Sequence, residues 1–349
     1  MMEKNLKVIR TQDAVGHILC HDITQIIPGE KKGPVFKKGH VVTSEDIPVL
    51  LSVGKENLYV WEKTENLLHE NEAAEILREI CMGNSSLMEY GEASEGKIDI
   101  KSAVTGLLKI RSENLFNVNS LGEMMIATIH GNTVVHPGDK ICGTRIIPLA
   151  IEKEKMLEAK KIAGDQPILS ILPINPAKVG VVVTGSEIEK GLIKDSFTPV
   201  LEKKFKEFGC TVMGKKITGD STEKIVSAIH EFSSEGANLI LCTGGMSVDP
   251  DDRTPLAIRQ SGAKIVTYGA PVLPGAMFLL SYLDSPRGEI PVLGLPGCVM
   301  FAGRTVFDLV LPRILAGEKL EKNDIVSYGE GGLCLGCKVC HYPDCGFGK

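Results

Sequence analysis

The sequence lacks long apolar runs and an excess of charge of either sign. No stretch approaches the roughly 20 apolar residues that a transmembrane helix needs, so we expect no membrane association. The 39 lysines and arginines are set against 44 aspartates and glutamates, and this net charge of -5 argues against general nucleic-acid binding. The first residues, Met1 to Lys7, contain no apolar core of signal-peptide length, so we expect a cytoplasmic protein.

Chain length and most of the cysteines are typical of ordinary globular domains. A chain of 349 residues is longer than a single hydrophobic core usually accommodates. Two or three domains are therefore expected, each with its own apolar interior. Six of the ten cysteines stand alone in apolar or mixed segments, where buried free thiols are typical. These six are Cys20, Cys81, Cys142, Cys210, Cys242 and Cys298.

The first 62 residues are predicted to form a small β-rich module. Short apolar runs separated by turn residues indicate strands, one of them at Gly16 to Cys20. Thr43, followed by Asp46 three positions later, is typical of a capping box, which predicts a helix from Glu45 to Val53.

Residues 63–166 are predicted to form an α+β linker or β-rich domain. A helix is expected from Asn71 to Cys81, where apolar residues recur at helical spacing, and another from Glu152 to Ala163. The stretch from Gly122 to His130 fits either a helix or a strand. Prolines between Pro167 and Pro176 mark a domain boundary.

From residue 177 to 317 strands and helices alternate. Apolar strand runs begin at Val179, Thr211, Asn238, Lys264 and Gly288. Helices are expected at Phe197 to Phe208, from Asp220 to about Ser233, at Pro255 to Gln260, and from about Cys298 to Ile314. This alternation predicts a three-layer αβα fold with a mostly parallel sheet.

The strand from Asn238 to Cys242 runs directly into a glycine- and acid-rich loop, Thr243 to Asp252. Adjacent glycines let backbone N–H groups approach a ligand, and carboxylates hold the Mg²⁺ that offsets phosphate charge. The loop therefore predicts a site for phosphate and a hard cation. Thr254 and Pro255 are typical of the start of a helix, and acidic residues are common at such a helix N-terminus. This alternative would explain Asp251 and Asp252, but it leaves the glycine pair unexplained.

Three other loops follow strands of the same predicted sheet. They are Thr184 to Glu187, Thr218 to Ser221 and Leu295 to Gly297. Because ligands bind at the carboxyl edge of such sheets, these loops are expected to form one pocket with the Thr243 loop. The helix expected after Gly297 would add free backbone N–H groups suited to an anion.

These motifs resemble the molybdopterin-binding domain shared by molybdopterin molybdenumtransferases and their adenylyltransferase relatives. The resemblance covers roughly Ala177 to Leu315. The stretches Asp13 to Leu19 and Phe36 to His40 are similar to the β module with which the molybdenumtransferases open. The resemblance implies Mg²⁺-dependent release of AMP from adenylylated molybdopterin, followed by placement of molybdate on the dithiolene. It also makes a homodimer plausible.

The resemblance also implies roles for individual residues. Glu187, Asp220 and Asp252 match acidic positions that hold metal or orient water and molybdate, and Asp249 is a further candidate metal ligand. The residues implied in binding phosphate or pterin are Thr184, Gly185, Ser186, Thr243, Gly244, Gly245, Ser247, Pro296 and Gly297.

Some family motifs are altered, which keeps two other functions open. The family's Leu-Pro-Gly-Asn-Pro is Leu-Pro-Gly-Cys298-Val299 here, and no Asp-Gly-Tyr-Ala or Asp-Gly-Phe-Ala motif occurs in the N-terminal half. A non-catalytic molybdopterin carrier or sensor, which passes the cofactor to a molybdoenzyme or a cofactor-synthesis partner, fits these departures. The string Asp251 to Thr254 also resembles competence-damage-type proteins that hydrolyse nucleotide pyrophosphates.

Residues 318–349 form a polar segment that ends in a cysteine cluster. A tail with so little apolar content is not expected to fold alone, and a soft metal would supply the missing stability. Either Zn²⁺ or an iron–sulfur cluster fits this donor set. The candidate ligands are Cys334, Cys337, Cys340 and Cys345, with His341 between them.

Overall fold

The computed structural model describes residues 6–27, 31–61 and 66–349. Strands of the first half are β1 (Leu6–Arg10), β2 (Ile23–Ile27), β3 (Lys31–Phe36), β4 (Asn57–Trp61), β5 (Leu67–His69), β6 (Met88–Tyr90), β7 (Lys97–Ser102), β8 (Gly106–Ile110), β9 (Met124–Thr128), β10 (Val134–Val135), β11 (Lys140–Ile146) and β12 (Ala150–Glu152). Its helices are α1 (Asp46–Ser52), α2 (Glu70–Met82), α3 (Ser112–Ser120) and α4 (Lys153–Ala163).

The second half supplies longer strands and most of the helices. Its strands are β13 (Leu169–Pro173), β14 (Lys178–Val183), β15 (Thr211–Ile217), β16 (Leu239–Thr243), β17 (Lys264–Tyr268), β18 (Leu279–Ser285) and β19 (Gly288–Leu295). Its helices are α5 (Ser186–Glu189), α6 (Phe197–Lys206), α7 (Thr222–Glu235), α8 (Thr254–Gln260), α9 (Val306–Leu315) and α10 (Lys322–Val326). Within the described ranges, no helix has the length and apolar character needed to cross a membrane.

The chain divides into two units by its internal contacts. The first contains residues up to 104 together with 110–129 and 136–170, and the second contains 105–109, 130–135 and 171–349. The predicted boundaries after residues 62, 166 and 317 stay predictions.

The first unit begins with two antiparallel strand pairs, β1 with β4 and β2 with β3. The strand predicted at Gly16 to Cys20 is wrong, because Gly16 turns the chain with a φ of 83° and Ile18 forms only an isolated bridge with Val41. The helix predicted from Glu45 is present as α1. A small buried core lies beneath these elements, made of Ala14, Leu19, Ile23, Val42, Leu50 and Leu58.

The remainder of the first unit contains a four-stranded sheet in the order β6-β7-β11-β9. The ambiguous stretch after Gly122 is strand β9, which pairs antiparallel with β11. The helices predicted at 71–81 and 152–163 are present as α2 and α4. A capping box formed by His69 and Glu72, which the sequence pattern did not reveal, begins α2.

The second unit contains a six-stranded sheet in the order β15-β14-β16-β19-β18-β17. Strands β15, β14, β16 and β19 are mutually parallel, while β18 runs antiparallel to both β19 and β17. The predicted α/β class with a mostly parallel sheet is therefore confirmed. The sequence analysis missed β18, which forms a tight antiparallel hairpin with β19.

Helices cover both faces of this sheet. Val181 and Leu241 pack into one buried cluster with α6 and α9, whereas Val182 and Cys242 pack into the other with α7. Successive residues of a strand point to opposite faces, so each central strand contributes to both cores. This double burial explains the continuous apolar runs in the sequence.

The cysteine-containing tail is packed against α9. The Tyr342 hydroxyl donates a hydrogen bond to the carbonyl of Asp308 at 3.2 Å, and the Arg304 guanidinium lies 4.9 Å from the Tyr342 ring centroid. Phe347 is buried in the core shared with α6 and α9. Two aromatic side chains, Tyr342 and Phe347, thus anchor the tail on the sheet domain.

The contact between β14 and α7 depends on a glycine. A Cβ atom added to Gly180 would lie 2.5 Å from Cγ of the buried Phe232 ring. We predict that Gly180→Ala lowers the free energy of unfolding by about 2 kcal/mol through overpacking. Gly91→Ala, where an added Cβ meets nothing within 4 Å, is the matched control. Denaturant unfolding measures both variants, and equal stability of the two would contradict the prediction.

Candidate functional site

The predicted loops lie at one edge of the six-stranded sheet. Strands β15, β14, β16 and β19 are consecutive neighbours in the sheet and run in the same direction. Their carboxyl ends therefore meet at one edge, and the loops that follow them begin at Thr184, Thr218, Gly244 and Pro296. The structure thus brings together the four segments that were expected to form a pocket.

Hydrogen bonds of threonine side chains connect the loop after β14 to the loop after β16. The Thr184 hydroxyl donates to the carbonyl of Thr243 at 2.9 Å and lies 3.2 Å from the Thr254 hydroxyl. The Thr254 hydroxyl in turn donates to the carbonyl of Gly244 at 2.8 Å. Because Thr184 and Thr254 are buried, these hydroxyl groups order the loops and do not face the solvent.

Thr243, which was expected to contact a ligand, lies in the interior. Its side chain is fully buried, and among the described residues its hydroxyl has no hydrogen-bond partner. It follows Cys242 on β16 and so points to the same face as Leu241, into an apolar environment. The structure therefore separates Thr243 from the exposed part of the loop.

The glycine pair has a packing role that the sequence analysis did not identify. Gly244 and Gly245 adopt φ values of 86° and 55°, which favour glycine. A Cβ on Gly244 would lie 2.9 Å from both the carbonyl and the hydroxyl oxygen of Thr184, and one on Gly245 would lie 2.9 Å from the Thr254 hydroxyl. The glycines permit close contact between two protein loops, so their presence does not require a ligand.

The acidic residues differ in the number of hydrogen bonds that their carboxylates accept from the rest of the chain. The carboxylate of Asp220 accepts hydrogen bonds from the Ser186 backbone N–H at 2.8 Å and its hydroxyl at 2.6 Å, which ties the loop after β15 to helix α5. Asp252 accepts from the N–H of Asp249 at 3.1 Å and closes a local turn. Glu187 is exposed on α5 next to Ser186.

No three histidine, cysteine, aspartate or glutamate side chains converge as metal ligands within residues 6–27, 31–61 and 66–349. Glu187, Asp220 and Asp252 therefore do not form a complete protein-only metal site. Mg²⁺ is usually held by only one or two carboxylates together with substrate phosphates, and carboxylates are present on these loops.

Tyr268 on β17 is a site residue that sequence reasoning missed. Its hydroxyl donates to the carbonyl of Met246 at 2.9 Å and lies 3.3 Å from that of Ser247. Burial raises the pKa of Tyr268, and the negative charge of Asp252 raises it further, so the hydroxyl stays protonated as a donor. The strand was expected to end at Val266, and no local signal connects Tyr268 to a loop some twenty residues earlier.

The loop after β19 differs from its prediction. A 3₁₀ turn spans Gly297–Met300, and α9 begins only at Val306. Thr305 ends the preceding loop as the N-cap, and its backbone N–H donates to Asp308 at 2.8 Å in a capping box. The expected helix N-terminus beside Gly297 is therefore wrong. Pro296 is buried and Gly297 is exposed, while burial raises the pKa of the Cys298 thiol.

The tail cysteines are not gathered into one site. Cys334 and Cys345 are half-buried and pack against the core near α9, whereas Cys337 and Cys340 are exposed. Two backbone hydrogen bonds, each of 2.8 Å, join Leu273 to Gly332 and Cys334 and hold the start of the tail. The four thiols thus occupy two different environments.

Comparisons with known proteins show what the sheet domain of the second unit is similar to. Residues 180–316 match the model of a probable molybdopterin binding domain, and residues 8–62 match a domain of unknown function. A molybdopterin molybdenumtransferase of Synechococcus elongatus is 29% identical over 163 residues, which cover 44% of this chain and 38% of the relative. One of Staphylococcus epidermidis is 26% identical over 299 residues, which cover 80% and 65%.

A shorter match and two solved structures extend these comparisons. A CinA-like protein of Mycobacterium avium is 30% identical over 96 residues, covering 27% of this chain and 22% of the relative. The molybdopterin biosynthesis enzyme MoaB of Thermus thermophilus is 19% identical with a TM-score of 0.32, covering 41% of this chain and 98% of that chain. A molybdenum cofactor biosynthesis protein of Pyrococcus furiosus is 14% identical with a TM-score of 0.26, covering 91% and 66%.

The chain spans less than two thirds of the length of these curated relatives, 38% of one molybdenumtransferase and 65% of the other. The sequence likeness nevertheless extends beyond the sheet domain, because the second match covers 80% of this chain. In sequence this chain is molybdopterin molybdenumtransferase-like, and its residues 180–316 match a probable molybdopterin binding domain.

Proposed function

We propose that this protein acts in molybdenum cofactor biosynthesis by binding adenylylated molybdopterin at the carboxyl edge of its six-stranded sheet. The observation that carries this proposal is the joining of three loops at that edge. Ser186 donates hydrogen bonds to the Asp220 carboxylate. The Thr184 hydroxyl donates to the Thr243 carbonyl and contacts the Thr254 hydroxyl. A preordered edge of this kind is where ligands bind in open α/β sheets. The family match of residues 180–316 supports a pterin as the ligand.

The chemistry proposed for this site is hydrolysis of the bond between AMP and molybdopterin. Mg²⁺ held with the phosphates by Glu187, Asp220 and Asp252 would offset their charge and lower the pKa of a bound water. The bond from Ser186 keeps Asp220 fixed in place, while the exposed Glu187 carboxylate is available to a ligand or to water. Hydrolysis would break the phosphoanhydride bond and release AMP, and molybdate would then bind the dithiolene sulfurs of the freed molybdopterin.

A second candidate function is a carrier that binds molybdopterin without releasing AMP. Specific observations favour it, because Asp220 and Asp252 already accept hydrogen bonds within the chain. Cys298 also stands where related motifs have asparagine. The likeness to a CinA-like protein keeps a nucleotide pyrophosphatase as a further alternative.

The transferase proposal predicts AMP release that depends on Mg²⁺ and molybdate. Purified protein is mixed with adenylylated molybdopterin, and AMP is followed by chromatography while molybdenum retained on the pterin is measured by mass spectrometry. Chelation with EDTA is expected to abolish release. Tight pterin binding without AMP would identify a carrier, and hydrolysis of ADP-ribose or similar pyrophosphates in its place would identify the pyrophosphatase.

A second prediction concerns the acidic side chain of Glu187. Glu187→Gln removes the charge without changing the size, so AMP release is expected to fall roughly 100-fold. Glu189→Gln on the same short helix is the matched control, since its carboxylate lies 2.5 Å from the Lys224 ammonium in an exposed ion pair. That control is expected to keep its rate within about twofold. A similar loss in both variants would point to a folding defect of α5.

We also propose that the tail binds a soft metal, either Zn²⁺ or an iron–sulfur cluster. Four thiols within residues 334–345 are the donors such ions prefer. The proposed metal would draw the exposed Cys337 and Cys340 toward Cys334 and Cys345, within a segment whose two ends are held by contacts of Leu333 and Tyr342.

The tail proposal predicts a defined metal content. Protein purified without chelators is expected to hold about one Zn²⁺, or one cluster, per chain, and Cys337→Ser with Cys340→Ser is expected to lose it. Elemental analysis measures this, with Cys298→Ser as the control that retains the metal. Unchanged metal content in the double variant would rule the site out.

A further inference from the structure

The most exposed large apolar side chains of the sheet domain lie on the same loops as the candidate site. Phe301 is 86% exposed on the loop after β19, and Val248 is 85% exposed on the loop after β16. Leu192 is 73% exposed on the segment that follows α5, which comes directly after β14. One such side chain is ordinary on a protein surface, but here each of three neighbouring loops presents one.

The order of the strands places the loops that carry these side chains at one edge of the sheet. Strands β14, β16 and β19 are adjacent, and neighbouring strands lie about 4.8 Å apart, so their loops are within the reach of one small ligand. Ser186 and Ser247 follow two of these strands, and Asp220 on the loop after β15 is hydrogen-bonded to Ser186. Polar groups on loops that also carry Phe301, Val248 and Leu192, which we call the apolar rim, suit a ligand that has a phosphate at one end and a flat ring at the other.

Phe301 is suited to the ring. Its position immediately after the 3₁₀ turn at Gly297–Met300 fixes its backbone, since its N–H donates to the carbonyl of Cys298 at 3.1 Å. An aromatic face on an ordered loop stacks on heteroaromatic rings at little entropic cost, because only two side-chain torsions are restricted.

We propose that Phe301 forms a stacking platform for a fused heteroaromatic ring of the ligand, with Val248 covering the ring from the neighbouring loop. This inference rests on the proposed function, because adenylylated molybdopterin supplies two such rings, the pterin and the adenine. The pyrimidine ring of the pterin and the adenine are both flat and nitrogen-rich, and each exposes a π face to an aromatic side chain.

The test compares binding of three probes, adenylylated molybdopterin, molybdopterin and AMP, to wild type and Phe301→Ala by calorimetry. Loss of the stacked ring is expected to weaken adenylylated molybdopterin roughly tenfold. If the pterin is the stacked ring, molybdopterin weakens by the same factor and AMP does not; if it is the adenine, the reverse holds. Phe116→Ala, which removes a ring that is 71% exposed from helix α3 in the other unit, is the control that leaves all three affinities unchanged.

A conservative variant gives a direct readout. Phe301→Trp is expected to keep wild-type affinity and to show quenched fluorescence on ligand binding, against the background of the single native tryptophan. If the wild type binds none of the three probes, the proposed function fails. If the wild type binds but Phe301→Ala binds equally well, the stacking role alone is overturned. A change in oligomeric state of Phe301→Ala in light scattering, without a change in affinity, would instead assign the apolar rim to a protein interface.

Discussion

Burial of the central strands on both faces determines where the polar and charged side chains of a functional site can lie. Along β14, β16 and β19 nearly every side chain lies in one of two apolar cores, so a polar group within a strand would lack a partner. Polar and acidic residues are tolerated only where these strands end. The carboxyl edge is therefore the place where Thr184, Asp220 and Ser247 can stand together, and the loops there must satisfy one another before they can bind a ligand.

The order of the strands and helices was accessible from sequence because it depends on local patterns. Apolar runs of strand length and capping residues predicted β14, β16, α6 and α7 with their ends nearly in place. Strand β18, Leu279 to Ser285, was missed because its place in the sheet depends on antiparallel pairing with β19. The start of α9 was misplaced for a related reason, since the reciprocal bonds between Thr305 and Asp308 outweighed the earlier helix signal at Cys298.

The location of the candidate site was predictable from the sequence, but the roles of its individual residues were not. Sequence placed the right loops at one edge, yet Gly244 and Gly245 are required by contacts with Thr184 and Thr254, residues roughly 60 and 10 positions away in the chain. The Tyr268 hydroxyl reaches the Ser247 loop from the far strand of the sheet. Such contacts depend on strand order and distance, which no short motif encodes.

The tail and the candidate site share one segment of chain. Arg304 stacks on Tyr342 of the tail, and three positions earlier Phe301 stands at the rim of the site. If the tail can leave this position, it is in effect an intramolecular ligand of the segment that precedes α9, and its docking contributes to the order of that segment. By thermodynamic linkage, a modification of the tail thiols that favours undocking would weaken ligand binding at the loop, and a ligand that orders the loop would strengthen docking by the same factor.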